Sequence, residues 1–231
     1  MSLPRIHILM AGHALQTIRE KYGDFDRWFQ DRPHASVHYR IRALFDGNPL
    51  PDISESDGWI ITGSPASVND AVPGMRSVRA GIAQVVGGGH PILGVCFGHQ
   101  LLAASLGGKV AKNPKGWELG LATITLTGAG ERSPIFRGLD ARFPVYESHQ
   151  EVVTSLPAAG RVLAENEMGL QAFQLGDRAF GVQFHPEFTL DIARMYVQLR
   201  TGKELPPLKR RRDHPDISRQ VLTNFIQHIT L

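Results

Sequence analysis

Pro91-Ile92-Leu93-Gly94-Val95-Cys96-Phe97-Gly98-His99-Gln100-Leu101-Leu102 decides how the rest of the chain is read. Ile92, Leu93 and Val95 form an apolar run of strand length, and residues 100–106 read as the start of a helix. Cys96, the single cysteine, therefore falls at the strand-to-helix turn. Gly94 and Gly98 flank it two residues to either side, the glycine spacing of a nucleophile elbow with cysteine in place of serine. Such a turn lifts the side chain out of the sheet edge and aims it at the positive end of the next helix, where a thiolate is favoured. A lone cysteine among apolar residues is ordinarily an inert core residue; the paired glycines reverse that reading here.

The chain has 231 residues, 42% of them hydrophobic, enough for one large α/β domain with a real core. The expectation is a single domain over 1–231, with 200–231 a linker plus a C-terminal helix. One cysteine excludes an internal disulfide, and residues 1–10 lack the apolar run and small-residue cleavage site of a signal peptide. A reducing cytoplasm fits best. No apolar run approaches the roughly 18 residues needed to span a bilayer, so no membrane partner is expected. The formal charge of +3 owes much to Lys209, Arg210, Arg211 and Arg212. With no interleaved aromatics this tract reads as a solvated connector, not a nucleic-acid surface.

From the N-terminus, Arg5 to Met10 reads as a strand. Leu15, Ile18, Tyr22, Phe25 and Phe29 then recur at helical spacing across a break at Gly23-Asp24. Residues 36–42 read as a second strand. His34 and His38 stand four apart in extended chain with no acidic or cysteine partner at ligand spacing, so no metal is assigned. Residues 57–62 form another strand, ending at Gly63-Ser64-Pro65-Ala66-Ser67. A glycine followed by a proline-fixed turn at a strand's carboxyl end can present backbone N–H groups to a developing oxyanion. Ligands of α/β sheets bind at that same end, where Cys96 also lies.

A helix over 75–86 precedes the elbow strand, and the repeated strand-helix order predicts a mostly parallel sheet with helices on both faces, a three-layer α/β sandwich. Beyond Gly107-Gly108 the strands 121–126, 143–147, 162–164, 170–174 and 179–184 follow without long helices, which predicts an antiparallel extension. Residues 175–178 make a hairpin turn. The final strand runs into Phe184-His185-Pro186-Glu187. Alternation in extended chain would put His185 and Glu187 on one side, with Pro186 biasing His185 to extended backbone. A carboxylate there can fix the imidazole tautomer and turn its other nitrogen to a nucleophile. Helices near 189–199 and 217–229 close the chain around a linker containing Pro206-Pro207.

The Cys96 elbow, the His185-Pro186-Glu187 triplet and the Gly63-Ser64-Pro65 loop together resemble the class I glutamine amidotransferases, closest to the glutaminase domain of GMP synthase, over roughly residues 5–190. The resemblance implies a free-standing enzyme that hydrolyses the side-chain amide of glutamine, releasing glutamate and ammonia, without metal or organic cofactor. It makes Cys96 the nucleophile, His185 the base and acid, and Glu187 its orienting partner. The oxyanion hole would be the N–H groups of Ser64 and Phe97. Gly63 and Gln100 would help bind substrate, Glu118 would lie near its amino group, and the backbone of Ser148 and His149 would grip its α-carboxylate.

Two departures bear on this. Ser64 replaces a second glycine before proline, and Gln150-Glu151 replace the glycine and aspartate that commonly follow the serine-histidine pair. The resemblance implies a synthetase partner subunit for the ammonia and leaves the acceptor and oligomeric state open. A γ-glutamyl peptidase acting on γ-glutamyl dipeptides or conjugates, and a non-catalytic binding protein on the same fold, remain as alternatives.

Overall fold

The computed structural model describes residues 3–31, 36–46, 48–205 and 219–229. In chain order these form β1 (Arg5–Met10), α1 (Gln16–Tyr22), α2 (Phe25–Asp31), β2 (His38–Ala43), β3 (Gly58–Ile61), α3 (Met75–Gly87), β4 (Ile92–Val95) and α4 (Phe97–Ser105). Then come β5 (Lys109–Lys112), β6 (Glu118–Leu126), α5 (Gly128–Glu131), β7 (Arg142–His149), β8 (Glu151–Ser155), β9 (Gly160–Asn166), β10 (Gly169–Leu175), β11 (Ala179–Val182), α6 (Leu190–Thr201) and α7 (Arg219–Ile229). His34, Pro206, Pro207 and the tract Lys209 to Arg212 lie outside the described residues.

Nine strands make one sheet in the order β2-β1-β3-β4-β11-β10-β9-β6-β7. From β2 to β11 every neighbour is parallel, and from β11 to β7 every neighbour is antiparallel. The fold is thus mixed α/β, a parallel sheet with an antiparallel extension. Because side chains alternate faces along a strand, the parallel part feeds two cores. Ile6, Ile8, Ile60, Leu93, Val95, Phe180 and Val182 pack on one face with α1, α2, α6 and α7. Leu9, Trp59, Ile61, Ile92 and Ala179 pack on the other with α3 and α4.

Local chemistry sets the element ends. Gly23 takes the left-handed region (φ 80) and breaks the first helix from the second. Asp24 Oδ1 accepts from the N–H groups of Ala14 and Phe25, starting α2. Thr189 caps α6 by accepting from Ile192 N–H at 3.2 Å. Asn224 ties α7 down by donating from Nδ2 to the carbonyls of Ile135 (3.0 Å) and Arg137 (2.9 Å).

Three features differ from the sequence expectation. Helix α4 starts at Phe97, directly after the cysteine. Lys109–Lys112 and Glu151–Ser155 pair as a separate two-stranded antiparallel sheet, which their charged, short runs did not announce. Strand β11 stops at Val182, so His185 and Glu187 lie beyond it, past the bends at 183–184 and with Glu187 in a turn, not on the strand itself. Among the described residues, no helix is long and apolar enough to cross a membrane.

Phe225 is fully buried and meets Phe180 edge-on at 6.5 Å. Phe225→Ala should cost about 3–5 kcal/mol in denaturant unfolding. A loss below about 1 kcal/mol would show that α7 is not part of that core.

Candidate active site

Cys96 has φ 52 and ψ −103, and it is the one non-glycine residue with positive φ among those described. A side chain held there costs roughly 1–3 kcal/mol, so the surroundings must over-determine it. They do so through backbone. Cys96 N–H donates to Val182 O (2.9 Å), and Gln100 N–H donates to Cys96 O (3.1 Å) to open α4. A Cβ on Gly94 would lie 2.3 Å from Gly98 O, and one on Gly98 would lie 2.3 Å from Ile61 O. Neither clash could be relieved by moving a side chain, so both glycines are required by close approach.

The parallel register Val182↔Val95 brings the chain after β11 alongside the elbow. There His185 Nδ1 sits 2.6 Å from Glu187 Oε1, with both residues buried. A carboxylate accepts only, so Nδ1 carries the proton and Nε2 is the nitrogen left for another partner; the Cys96 side chain is near enough for its charge to act on this ring. The ring is stacked 3.9 Å from Phe188 and more loosely on Phe25 at 6.5 Å, while Phe188 stacks in turn on Tyr196 at 4.9 Å. Burial pushes the imidazole pKa down. The charge of Glu187, then that of Cys96 and the hydrogen bonds to both, outweigh it and carry His185 up to about 10.

The Gly63 loop is fixed from below. Thr62 Oγ1 accepts from Ala11 N–H and donates to Gly63 O, both at 3.0 Å. In a trans peptide the carbonyl and the following N–H point opposite ways, so anchoring Gly63 O also orients Ser64 N–H. Ser64 is not left-handed, and its Oγ accepts from Ala66 N–H at 3.2 Å, so a serine in the glycine's place fits without strain. Gly63 itself packs against the imidazole: a Cβ there would lie 3.1 Å from His185 Cε1 and 3.2 Å from Phe25.

A cleft of about 220 Å³ opens over Cys96, lined by Ser64, Gln100, Ser148, His149, Glu151 and, unforeseen from sequence, Lys112, Trp117 and Arg200 among others. Gln100 Nε2 donates to Glu151 O (2.9 Å) and Gln183 Oε1 (3.2 Å). Glu118 does not line this cleft. Its carboxylate accepts from Asn166 Nδ2 (2.6 Å), Gln171 Nε2 (2.9 Å) and His149 Nε2 (3.1 Å). Ser148 and His149 are the last residues of β7, paired with Leu119 and Glu118.

The side chain of His149 has a place in the site that the sequence did not announce. Its Nδ1 faces the Glu151 carbonyl at 3.1 Å, while Nε2 faces Glu118 and, at 3.3 Å, Glu147. All are acceptors, so both nitrogens donate and the ring is an imidazolium. Burial opposes that charge, but the bonds to Glu118 and Glu147 raise the ring to about 10. Burial in turn lifts the Glu147 carboxyl to about 7. Glu118, Glu147 and His149 are close enough to hold a metal ion. A doubly donating ring has no lone pair to give, so the donor set is that of a hydrogen-bonded network.

The glutamine amidotransferase class-I family model matches residues 35–198. The chain belongs to that family. It is 41% identical over 130 residues to the GMP synthase of Thermus thermophilus, covering 55% of this chain and 24% of that one. The chain thus spans about a quarter of the length of that GMP synthase. It is 30% identical over 196 residues to γ-glutamyl peptidase 3 of Arabidopsis thaliana, covering 81% and 78%. A glutamine amidotransferase structure from Thermotoga maritima superposes with TM-score 0.75 at 17% identity over 99% of both chains. The amidotransferase fold is therefore shared well beyond recognisable sequence.

His185, His149 and Glu147, all raised, contribute one common pH trend. His185 and His149 have folded pKa values raised above the ordinary 6.5, so their stabilisation is complete below 6.5 and is lost as pH climbs through about 10. Glu147, raised from 4.5 to about 7, also holds a proton the unfolded chain has released, so stability falls from 4.5 to 7 too. The melting temperature should therefore drop between pH 7 and 10. In histidine NMR the His185 ring should stay protonated at neutral pH and titrate lower in Cys96→Ala. A ring titrating near 6.5 in both proteins would refute the Cys96 contact.

Proposed function

We propose that this amidotransferase-family protein hydrolyses γ-glutamyl amides, with glutamine as the parent substrate, through Cys96, His185 and Glu187. The observation that carries the reading is a strained, glycine-flanked cysteine whose charge acts on an imidazole, one nitrogen of which is held by a buried carboxylate. Cys96 thiolate attacks the amide carbonyl carbon, forming a C–S bond. The negative oxygen is received by the N–H groups of Ser64 and Phe97. His185 gives its proton to the departing nitrogen as the C–N bond breaks. Water, deprotonated by His185, then cleaves the γ-glutamyl thioester to release glutamate and free the thiol.

Ser148, His149 and Gln100 line the cleft where the amino-acid end of the substrate would sit, and the His149 imidazolium adds positive charge there. Glu118 would then act through His149, not by direct contact with substrate. The likeness to GMP synthase supports a synthetase partner as receiver of the ammonia, in a reducing cytoplasm. A second reading, γ-glutamyl peptidase, is favoured by the Arabidopsis relative, which this chain matches along most of both lengths.

Ammonia release from glutamine and amine release from γ-glutamyl dipeptides test both. Cys96→Ala should abolish turnover with the fold intact, and His185→Ala should come close to that. Glu187→Gln should be milder by roughly 10²-fold, since an orienting carboxylate contributes less than the base. A γ-glutamyl adduct on Cys96, trapped by acid quench and seen by mass spectrometry, is the expected intermediate. Turnover of neither substrate by the wild type, with ordinary Cys96 reactivity toward a glutamine-mimicking alkylator, would favour a binding protein on this fold.

A further inference from the structure

The proposed chemistry specifies the γ-glutamyl half of the substrate and says nothing of what leaves. The wall of the cleft does. Arg200, in the last turn of α6, lays its guanidinium over the Trp117 ring at 4.3 Å, with Tyr196 at 5.8 Å on the preceding turn. Both Arg200 and Trp117 line the cleft above Cys96, and so does Lys112. Burial holds the Arg200 pKa below its ordinary value, and the charge of Cys96 acts on it in the opposite sense, which places the guanidinium within electrostatic reach of the sulfur.

Among the described residues this cation has no counter-ion. Among the described residues, no carboxylate lies within ion-pair distance of Arg200 or Lys112, and Arg200 Nε is buried without a hydrogen-bond partner. Among the described residues the only carboxylate on the cleft lining belongs to Glu151, and Ser67 Oγ bonds it at 2.8 Å. A guanidinium held over an indole is a preorganised fork for a planar anion. Glutamine would leave that fork unused on its reacting side, because its leaving group is ammonia.

Resting on the γ-glutamyl reading above, we propose that Arg200, held on Trp117 in the wall of the Cys96 cleft, binds a carboxylate carried by the leaving amine. The favoured substrates are then γ-glutamyl amides of amino acids, not glutamine. Lys112 adds to the field that draws the anion in, and Arg200 makes the directed contact. The covalent step is unchanged: the C–N bond breaks, His185 supplies the proton, and an amino acid departs in place of ammonia.

The clean comparison is γ-glutamylglycine against γ-glutamylglycinamide, which differ only in the carboxylate. Wild-type kcat/KM should favour the acid by about 10- to 100-fold, the range of one charge-assisted contact. Arg200→Gln should bring that ratio to within about twofold of unity, while Arg200→Lys retains part of it. A wild-type ratio near one, or a ratio that survives Arg200→Gln, overturns the proposal. So does an equal loss on both substrates in Arg200→Gln, which would mean that Arg200 grips the glutamyl half. If the wild type turns over neither compound, the proposed chemistry fails separately. Calorimetric binding of the two compounds to Cys96→Ala, with and without Arg200→Gln, then decides the subsite alone. A preference for the acid that vanishes in the double variant supports it, and equal or absent binding of both to Cys96→Ala rejects it.

Discussion

The left-handed backbone at Cys96 is the constraint on which the site depends. It exists because β3, β4 and α4 approach so closely that Gly94 meets Gly98 and Gly98 meets Ile61 backbone to backbone. That packing is possible because both faces of the parallel sheet are sealed by apolar cores. The parallel β4–β11 pairing then delivers the imidazole, since two strands running the same way end side by side. Sheet topology joins residues 96 and 185 where no local sequence rule could.

The second theme is charge kept out of water. Two imidazoles, His149 and His185, border the cysteine, each raised to about 10, and each is compensated by buried carboxylates. Such pairs add little net stability, because desolvating both partners offsets their attraction. Their value is positional: each ring has its nitrogens assigned by its neighbours. His99, within the elbow motif, shows the contrast. Packed on Phe173 with no carboxylate beside it, it is driven by burial down to about 3 and stays neutral.

Most of the parallel half was legible in the sequence, because β1, β3, β4 and β11 are apolar runs with glycine or proline near their ends, and the break at Gly23-Asp24 was equally plain. The elbow was legible from two glycines and one cysteine. The reading failed where residues far apart in sequence decide the structure. Lys109–Lys112 forms a strand because Glu151–Ser155 lies beside it, not through its own pattern. His185 and Glu187 meet through a turn, whereas alternation along a strand was expected. Glu118 turned inward to His149, Asn166 and Gln171, a network no spacing encodes. Arg200 reached the cleft only because α6 packs across β6, eighty-three positions from Trp117.

The stack of Phe25, His185 and Phe188 has a kinetic corollary. A half-turn of the imidazole about its Cβ–Cγ bond sweeps the ring out of its plane, directly into the face of Phe188 at 3.9 Å and toward Phe25. Such a flip must wait for the aromatic layer to breathe, a slow event in a close-packed interior. Between those rare openings the ring keeps the same nitrogen on Glu187 and the same nitrogen turned away from it, so the side chain of His185 has no second orientation to search through.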